Sequence, residues 1–299
     1  MKIWNTKNKR NYVIYLLIAG LTVGLSYAVL LIAGEETQNR LTMEDGFFES
    51  VGAIGWLFAS VVFFYIFWKD KSGNNLLFLR TKRNLFFCLL GLFCLIACGE
   101  EISWGQRIFG VQTPEFLKKI NRQDETNLHN IVYLQNRYAK GEDLPFWISM
   151  LSMTRIFQAF WFVYCVLLPL ASRFGRKIYY YIQCLNIPLV PIGLSAVFLA
   201  NYLVSRVIPS IYNMSFKSND HYFVEVKECN FGILFMLVSM YFLQDITNNT
   251  IAYKGTTDSL YESSGQLTLA KARRSEEVAA GNIFYKAQET QSLSKTGQS

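Results

Sequence analysis

Long apolar runs alternate with short polar connectors along most of this 299-residue chain. Several of these runs reach the ~20 apolar residues that cross the hydrocarbon core of a bilayer. A soluble chain would instead alternate core-facing and solvent-facing positions throughout. The pattern therefore predicts an all-α fold, a polytopic membrane helix bundle with about six transmembrane helices. Their predicted bounds are residues 12–33, 46–68, 84–103, 146–171, 178–208 and 222–243.

The fifth predicted helix is longer than a bilayer requires and contains Pro188 and Pro191. Proline removes a backbone hydrogen bond and collides with the preceding turn of a helix. Membrane helices tolerate such residues where neighbouring groups satisfy the freed backbone. We therefore expect this helix to be kinked or broken at the two prolines.

Three regions carry no spanning run: two tails that flank the predicted transmembrane domain of residues 12–243 and one segment within it. Residues 1–11 are a short basic tail. Residues 104–145 mix apolar and basic positions, as an interfacial segment does. Residues 244–299 are rich in Ser, Thr, Gln, Lys and Glu, a composition that predicts a largely disordered cytoplasmic tail. We expect any protein partner to bind through this tail.

Basic residues are distributed unevenly among the connectors. The basic regions are residues 1–11, 69–83 and 172–177, and one basic residue each is found in residues 34–45 and 209–220. Because cytoplasmic loops carry the excess of Lys and Arg, both termini are predicted to be cytoplasmic and the interfacial segment to lie on the outer side. The net charge of +7 then reflects topology, and we expect no nucleic-acid partner.

Ionisable residues near the ends of the predicted helices collect on the outer side. A charge at bilayer depth costs about 2.5–3.5 kcal/mol, so these side chains are expected to face the bundle interior. They form either a buried ion-pair network, with Arg155 bonded to Glu49 or Glu228, or a polar cavity open to the outer face. The surplus of carboxyl groups and the presence of histidine favour the cavity. The residues concerned are Glu49, Glu100, Glu101, Arg155, His221, Glu225 and Glu228.

The densest polar stretch is residues 99–107, followed downstream by residues 124–130. A carboxylate can orient an imidazole for acid–base chemistry, so our catalytic candidates are Glu and His side chains: Glu100, Glu101, His129 and His221. Our candidates for substrate binding are Trp104, Gln106, Arg107, Asn127, Asn130, Glu49, Arg155, Glu225 and Glu228.

Several of these residues have a simpler alternative role. Arg107 either binds an anionic head group or pairs with Glu100 or Glu101. Trp104 either anchors the chain at the membrane interface or stacks on a substrate.

A divalent metal ion is an alternative to a simple Glu–His pair. Imidazole nitrogen and carboxylate oxygen are both ligands for zinc and similar ions. The ligands would come from His129, His221, Glu101 and Glu225, which are distant in sequence and would have to converge. The sequence leaves the identity of such a metal open.

One stretch resembles a known family. The motif E-E-x-S-W-G-Q-R at residues 100–107, followed by E-x-N-L-H-N at residues 125–130, resembles a family of uncharacterised bacterial multi-pass membrane proteins. The likeness covers about residues 97–134. It implies a bacterial inner (plasma) membrane protein, and it implies no particular activity.

Three classes of function fit the sequence. The first is a membrane-embedded hydrolase or transferase with a Glu/His site at the outer face, acting on a membrane lipid or a lipid-linked substrate. The second is a transporter or ion-coupled carrier that uses the intramembrane Glu and Arg residues. The third is a membrane scaffold or assembly protein. A carrier needs polar residues along its whole depth, and the inner half of the predicted bundle has few, which favours the enzyme.

Overall fold

The computed structural model describes residues 6–43, 46–70, 74–76, 79–121, 126–127, 131, 152–211 and 221–248. Among these residues five helices are long and apolar enough to cross a membrane. The predicted all-α membrane bundle is confirmed. The compact unit that forms it is Met1–Ile246, and only the first two residues of a second unit, Thr247–Ser299, are described. The predicted disordered tail therefore lies almost wholly outside the described residues.

The first half of the chain supplies three long helices, joined by short elements. In order they are α1 (Thr6–Ile32), α2 (Glu35–Thr42), α3 (Phe47–Lys69), strands β1 (Asn74–Leu76) and β2 (Leu79–Thr81), and α4 (Leu85–Glu101). The two strands pair as an antiparallel hairpin. At 17 residues, α4 is at the lower end of the ~17–25 residues that span a bilayer.

The second half begins with short elements and ends with the remaining long helices. A 3₁₀ turn, Ser103–Gly105, is followed by α5 (Gln106–Phe109), α6 (Glu115–Lys118), α7 (Met153–Phe174), α8 (Arg176–Cys184), α9 (Ile192–Ile211) and α10 (His221–Asn248). The fourth predicted helix began at residue 146, and residues 146–151 lie outside the described part of the chain.

Proline shapes two of these helices. The expected break is present, since α8 and α9 are separated by residues 185–191, which contain Pro188 and Pro191. Within α7, residues Phe162–Leu167 form a π-helical turn immediately before Pro169. Proline has no amide hydrogen for the bond back along the helix, and a π turn is one way to absorb that loss.

Helices α3 and α10 approach each other at backbone distance. A Cβ atom added to Gly55 would lie 2.7 Å from the carbonyl carbon of Gly232, and one added to Gly52 would lie 3.0 Å from the Cα of Cys229. Small residues at a membrane helix contact allow this close packing. The contact fixes the position of α10 along α3.

An aromatic layer fills the middle of the bundle. The Trp56 ring of α3 lies 4.9 Å from Phe235 of α10 and 6.0 Å from both Phe93 of α4 and Phe157 of α7. Phe93 in turn lies 4.0 Å from Phe160. Four helices are thereby joined through one buried set of rings, which we call the aromatic layer.

A small polar network joins α1, α9 and α10 beside this layer. The Tyr27 hydroxyl donates to Asn201 Oδ1 at 3.0 Å. Asn230 Nδ2 donates to the same oxygen at 3.0 Å and to Ser26 Oγ at 2.8 Å. Asn201 and Asn230 are fully buried. Since an amide N–H without an acceptor is costly in hydrocarbon, these donated hydrogen bonds specify how the three helices are rotated.

Candidate functional site

Glutamate side chains from three helices lie at one end of the bundle, within electrostatic range of the Glu101 carboxyl. Glu101 closes α4, Glu49 lies in the first turn of α3, and α10 contributes residues from its first two turns. The Glu101 carboxyl interacts electrostatically with four other carboxyl groups, those of Glu228, Glu225, Glu49 and Glu100. We call this the carboxylate end. The structure thus brings together five of the residues that the sequence selected.

The contact between α3 and α10 explains this convergence. Glu49 precedes Gly52 by three residues, so both lie on one face of α3. Glu225 and Glu228 each precede a contact residue of α10 by four positions. Cys98, one turn before Glu101 on α4, and Cys229 of α10 both lie within electrostatic range of the Glu101 carboxyl, as expected where α4 and α10 run close to each other.

A histidine–glutamate pair lies at the edge of the site. His221 Nδ1 is 3.4 Å from Glu225 Oε1, one helical turn apart on α10. The His221 side chain is 62% exposed, whereas that of Glu225 is 21% exposed. The imidazole is therefore accessible from outside the bundle, while its carboxylate partner faces the cluster.

A buried lysine belongs to the same site. Lys227 is 5% exposed, and its Nζ lies 3.2 Å from Glu228 Oε1. Its backbone carbonyl accepts a hydrogen bond of 3.0 Å from Asn201 Nδ2. Lys227 is not among the residues selected from the sequence, although it lies within a predicted spanning helix. The charge-burial cost that selected Arg155 applies to Lys227 equally.

Glu100 is held by Trp104. The indole Nε1 donates to Glu100 Oε1 at 2.8 Å. Glu100 is 9% exposed. A Cβ atom on Gly99 would lie 2.9 Å from the indole ring, so only glycine at this position leaves room for the ring to fold back over α4. Trp104 therefore donates a hydrogen bond to the Glu100 carboxylate, while 48% of its surface remains exposed.

The turn that directs Trp104 backwards has an unusual backbone. Ser103, Trp104 and Gly105 have φ values of 46°, 55° and 77°. Non-glycine residues with positive φ cost roughly 1–3 kcal/mol each and persist only where surrounding contacts hold them. Here the Ser103 carbonyl accepts a hydrogen bond from the Thr126 hydroxyl, and Ser103 Oγ accepts one of 3.3 Å from Asn127 Nδ2.

Replacing Trp104 with phenylalanine tests this arrangement. The ring over Gly99 is retained, while the hydrogen bond to the Glu100 carboxylate is lost. We expect the free energy of unfolding to fall by about 1.5–3 kcal/mol, the value for a hydrogen bond to a charged group. Thermal unfolding in detergent measures the change. Trp68→Phe is the control, because Trp68 is 70% exposed; equal effects of the two substitutions would contradict the role of the bond.

Polar residues after this turn bind one another. Gln106 Nε2 donates to Thr113 Oγ1, and Gln106 Oε1 accepts a hydrogen bond of 2.8 Å from the Thr126 amide. Asn121 Nδ2 donates to the Asn127 carbonyl at 3.0 Å. Asn121 and Asn127 are both buried. The amides of Gln106 and Asn127, selected as substrate ligands, thus connect the segment internally and hold the turn over the carboxylate end.

The remaining candidates lie elsewhere or beyond the described residues. His129 and Asn130 lie outside them, as does the side chain of Arg107, whose backbone is part of α5. Arg155 is partly buried and lines a groove between α7 and α9. Within the described ranges, no group of three or more His, Cys, Asp or Glu side chains is arranged to hold a metal ion. The proposed ligand set included His129, so that set is not fully described.

Comparison with known proteins adds no identification. No family model, no curated protein and no solved structure matches this chain. The site is therefore interpreted from its own geometry and chemistry.

Proposed function

We propose that this protein is a membrane-embedded hydrolase or transferase that acts on a lipid or a lipid-linked substrate. Its catalytic site is the carboxylate end, which faces the outer side of a bacterial inner membrane. The observation that carries the proposal is the convergence of five glutamates with the His221–Glu225 pair. Carboxyl and imidazole groups held close together are the usual components of general acid–base catalysis.

The contacts of each glutamate suggest a division of roles. Glu100 is bonded to Trp104, Glu225 to His221, and Glu228 to Lys227. Glu101 interacts with all of these carboxyls and occupies a central position. Repulsion between the Glu101 charge and the other four is relieved when Glu101 holds a proton, and a protonated carboxyl is what a general acid requires. We therefore assign proton transfer to Glu101.

His221 and Lys227 complete the proposed site. The accessible imidazole of His221, oriented by Glu225, is suited to activate water or an acceptor hydroxyl. Lys227 supplies positive charge for an anionic group formed during the reaction. His129, Asn130 and the Arg107 side chain remain proposed components from the sequence, with Arg107 as the ligand of an anionic head group.

The aromatic layer supports an enzyme over a carrier. Trp56, Phe93 and Phe235 each lie seven residues along their helices from the nearest glutamate, about 10–11 Å deeper in the bundle. A carrier needs a polar route from one side of the membrane to the other, and packed rings fill this depth. A site that opens on one side only is what an enzyme needs.

The proposal is tested by incubating the purified protein with vesicles of total membrane lipid and comparing the lipids by mass spectrometry. We expect a lipid species to be consumed and its product to appear with wild-type protein, and neither change with Glu101→Gln. Unchanged lipids, together with proton or cation flux into the vesicles, would contradict the enzyme and favour the carrier.

The proposed orientation has a separate test. Both termini are expected in the cytoplasm, because the basic connectors lie at the end of the bundle opposite the carboxylates. Reporter fusions after Lys82 and after Lys177 should read cytoplasmic, and fusions near Glu36 and Ser218 should read external. A cytoplasmic signal at Glu36 would reverse the orientation and place the site on the inner face.

A further inference from the structure

A groove of about 470 Å³ lies between α7 and α9, on the outer surface of the bundle. Its volume is within the range of ~300–1,000 Å³ that is usual for small-molecule sites. Phe162 and Leu203 form part of its walls and are 39% and 47% exposed. Both helices are candidate membrane spans. The groove therefore opens toward the lipid that surrounds the protein.

Polar groups are concentrated at one end of this groove. Arg155 and Gln158 lie on one face of α7, three residues apart, and Tyr202 faces them from α9. The Gln158 amide and the Tyr202 hydroxyl make no hydrogen bond with other residues that the structure describes. Such groups are costly in hydrocarbon unless they find a partner. A bound molecule that offers acceptor oxygens would supply one.

A second cation lies beside the same end. Arg206 is one turn beyond Tyr202 on α9, and its guanidinium lies 5.7 Å from the centre of the Tyr202 ring. With Arg155 in the first turn of α7, two positive charges flank the mouth of the groove. Their charge favours an anionic head group at this end.

The other end of the groove is apolar. Leu199 and Phe162 lie deeper in the bundle than the arginines, and the Trp161 ring, 2% exposed, forms the floor. Trp161 lies 5.3 Å from Tyr202 and 5.1 Å from Phe231, so the floor is fixed by ring packing on both sides. The polarity of the groove, cationic at the membrane surface and apolar below, matches that of a single amphiphile.

We propose that this groove binds one anionic phospholipid of the surrounding bilayer. Its phosphate lies between Arg155 and Arg206, its ester oxygens accept hydrogen bonds from Gln158 and Tyr202, and one acyl chain runs along Leu199 over Trp161. The groove is lined by residues of α7 and α9, whereas the carboxylates belong to α3, α4 and α10, so the two sites share no helix. This binding site is therefore independent of the proposed catalytic activity.

The test uses native mass spectrometry of delipidated protein titrated with phosphatidylglycerol, and with phosphatidylcholine of the same acyl chains. We expect one phosphatidylglycerol to bind at least about tenfold more tightly than phosphatidylcholine, a difference of about 1.4 kcal/mol. Both lipids carry the phosphate, but the choline ammonium of phosphatidylcholine brings a positive charge against the two arginines. Arg155→Ala should remove this preference. Equal affinity of wild-type protein for the two lipids would overturn the proposal.

Two matched controls separate the groove from general lipid contact. Arg40→Ala removes one exposed cation from α2 and should leave the preference unchanged. Leu203→Trp fills the groove and should weaken phosphatidylglycerol binding, whereas Leu17→Trp, at a 60% exposed position of α1, should not. Equal losses in a variant and its control would show that binding occurs at the general lipid surface, and this would also overturn the proposal.

Discussion

Replacing Gly55 with alanine is expected to lower the free energy of unfolding by about 1–3 kcal/mol, the usual cost of overpacking a filled interface. The added Cβ would lie 2.7 Å from the carbonyl carbon of Gly232, 2.9 Å from its oxygen and 2.9 Å from the amide nitrogen of Ile233. All three are backbone atoms and cannot rotate away. The two helices must therefore separate, and thermal unfolding in detergent measures the cost.

The chain offers a matched control for this substitution. Gly20 lies in the interior of α1, and a Cβ atom there would meet nothing within 4 Å. Because alanine is a better helix former than glycine by about 1 kcal/mol, Gly20→Ala should be neutral or stabilising. If Gly55→Ala behaved in the same way, the backbone contact between α3 and α10 would not be the determinant of their packing.

Gly55→Ala should also impair the proposed catalytic site. Glu49 lies on the Gly52 face of α3, and Glu225 and Glu228 lie on the facing part of α10. Separation of the helices moves these carboxyls apart. We expect Gly55→Ala to reduce activity at temperatures where the protein remains folded, because misplacement of catalytic groups by about 1 Å can lower a rate 100-fold.

Replacing Glu101 with glutamine is expected to reduce activity at least about 100-fold, the lower range for the loss of a general acid or base. The free energy of unfolding, in contrast, should not fall. The substitution keeps the shape of the side chain and removes the carboxyl on which four others act electrostatically, so the protein should be as stable as the wild type or more stable. Turnover of the lipid substrate and thermal unfolding are measured on the same preparation.

A control and a double mutant sharpen this test. Glu115 is an exposed carboxyl that pairs with Lys118 at 3.2 Å, and Glu115→Gln should leave activity unchanged. His221→Ala should also reduce activity, and the double variant with Glu101→Gln should be no worse than the more damaging single variant, because residues that act as one unit are not additive. Full activity of Glu101→Gln, or a loss of stability that parallels its loss of activity, would contradict the catalytic role.

The class of fold follows from the sequence because the bilayer imposes strong local requirements. Each spanning segment must be apolar, long enough and internally hydrogen-bonded, and each of these properties is visible along the chain. The break before α9 is likewise local, since Pro188 and Pro191 lack the amide that a helix needs. The collection of Glu49, Glu101 and Glu225 near one end of the bundle also follows, because successive helices run in opposite directions.

Which of these side chains touch was decided by the tertiary structure. The sequence does not specify the rotation of one helix against another, so it did not select Gly55 and Gly232 as a contact or Lys227 as a buried partner of Glu228. The roles of Gly99 and Trp104 depend on three consecutive residues with positive φ, which residues distant in sequence hold in place. The groove between α7 and α9 likewise exists only because two spans, separate in sequence, pack side by side.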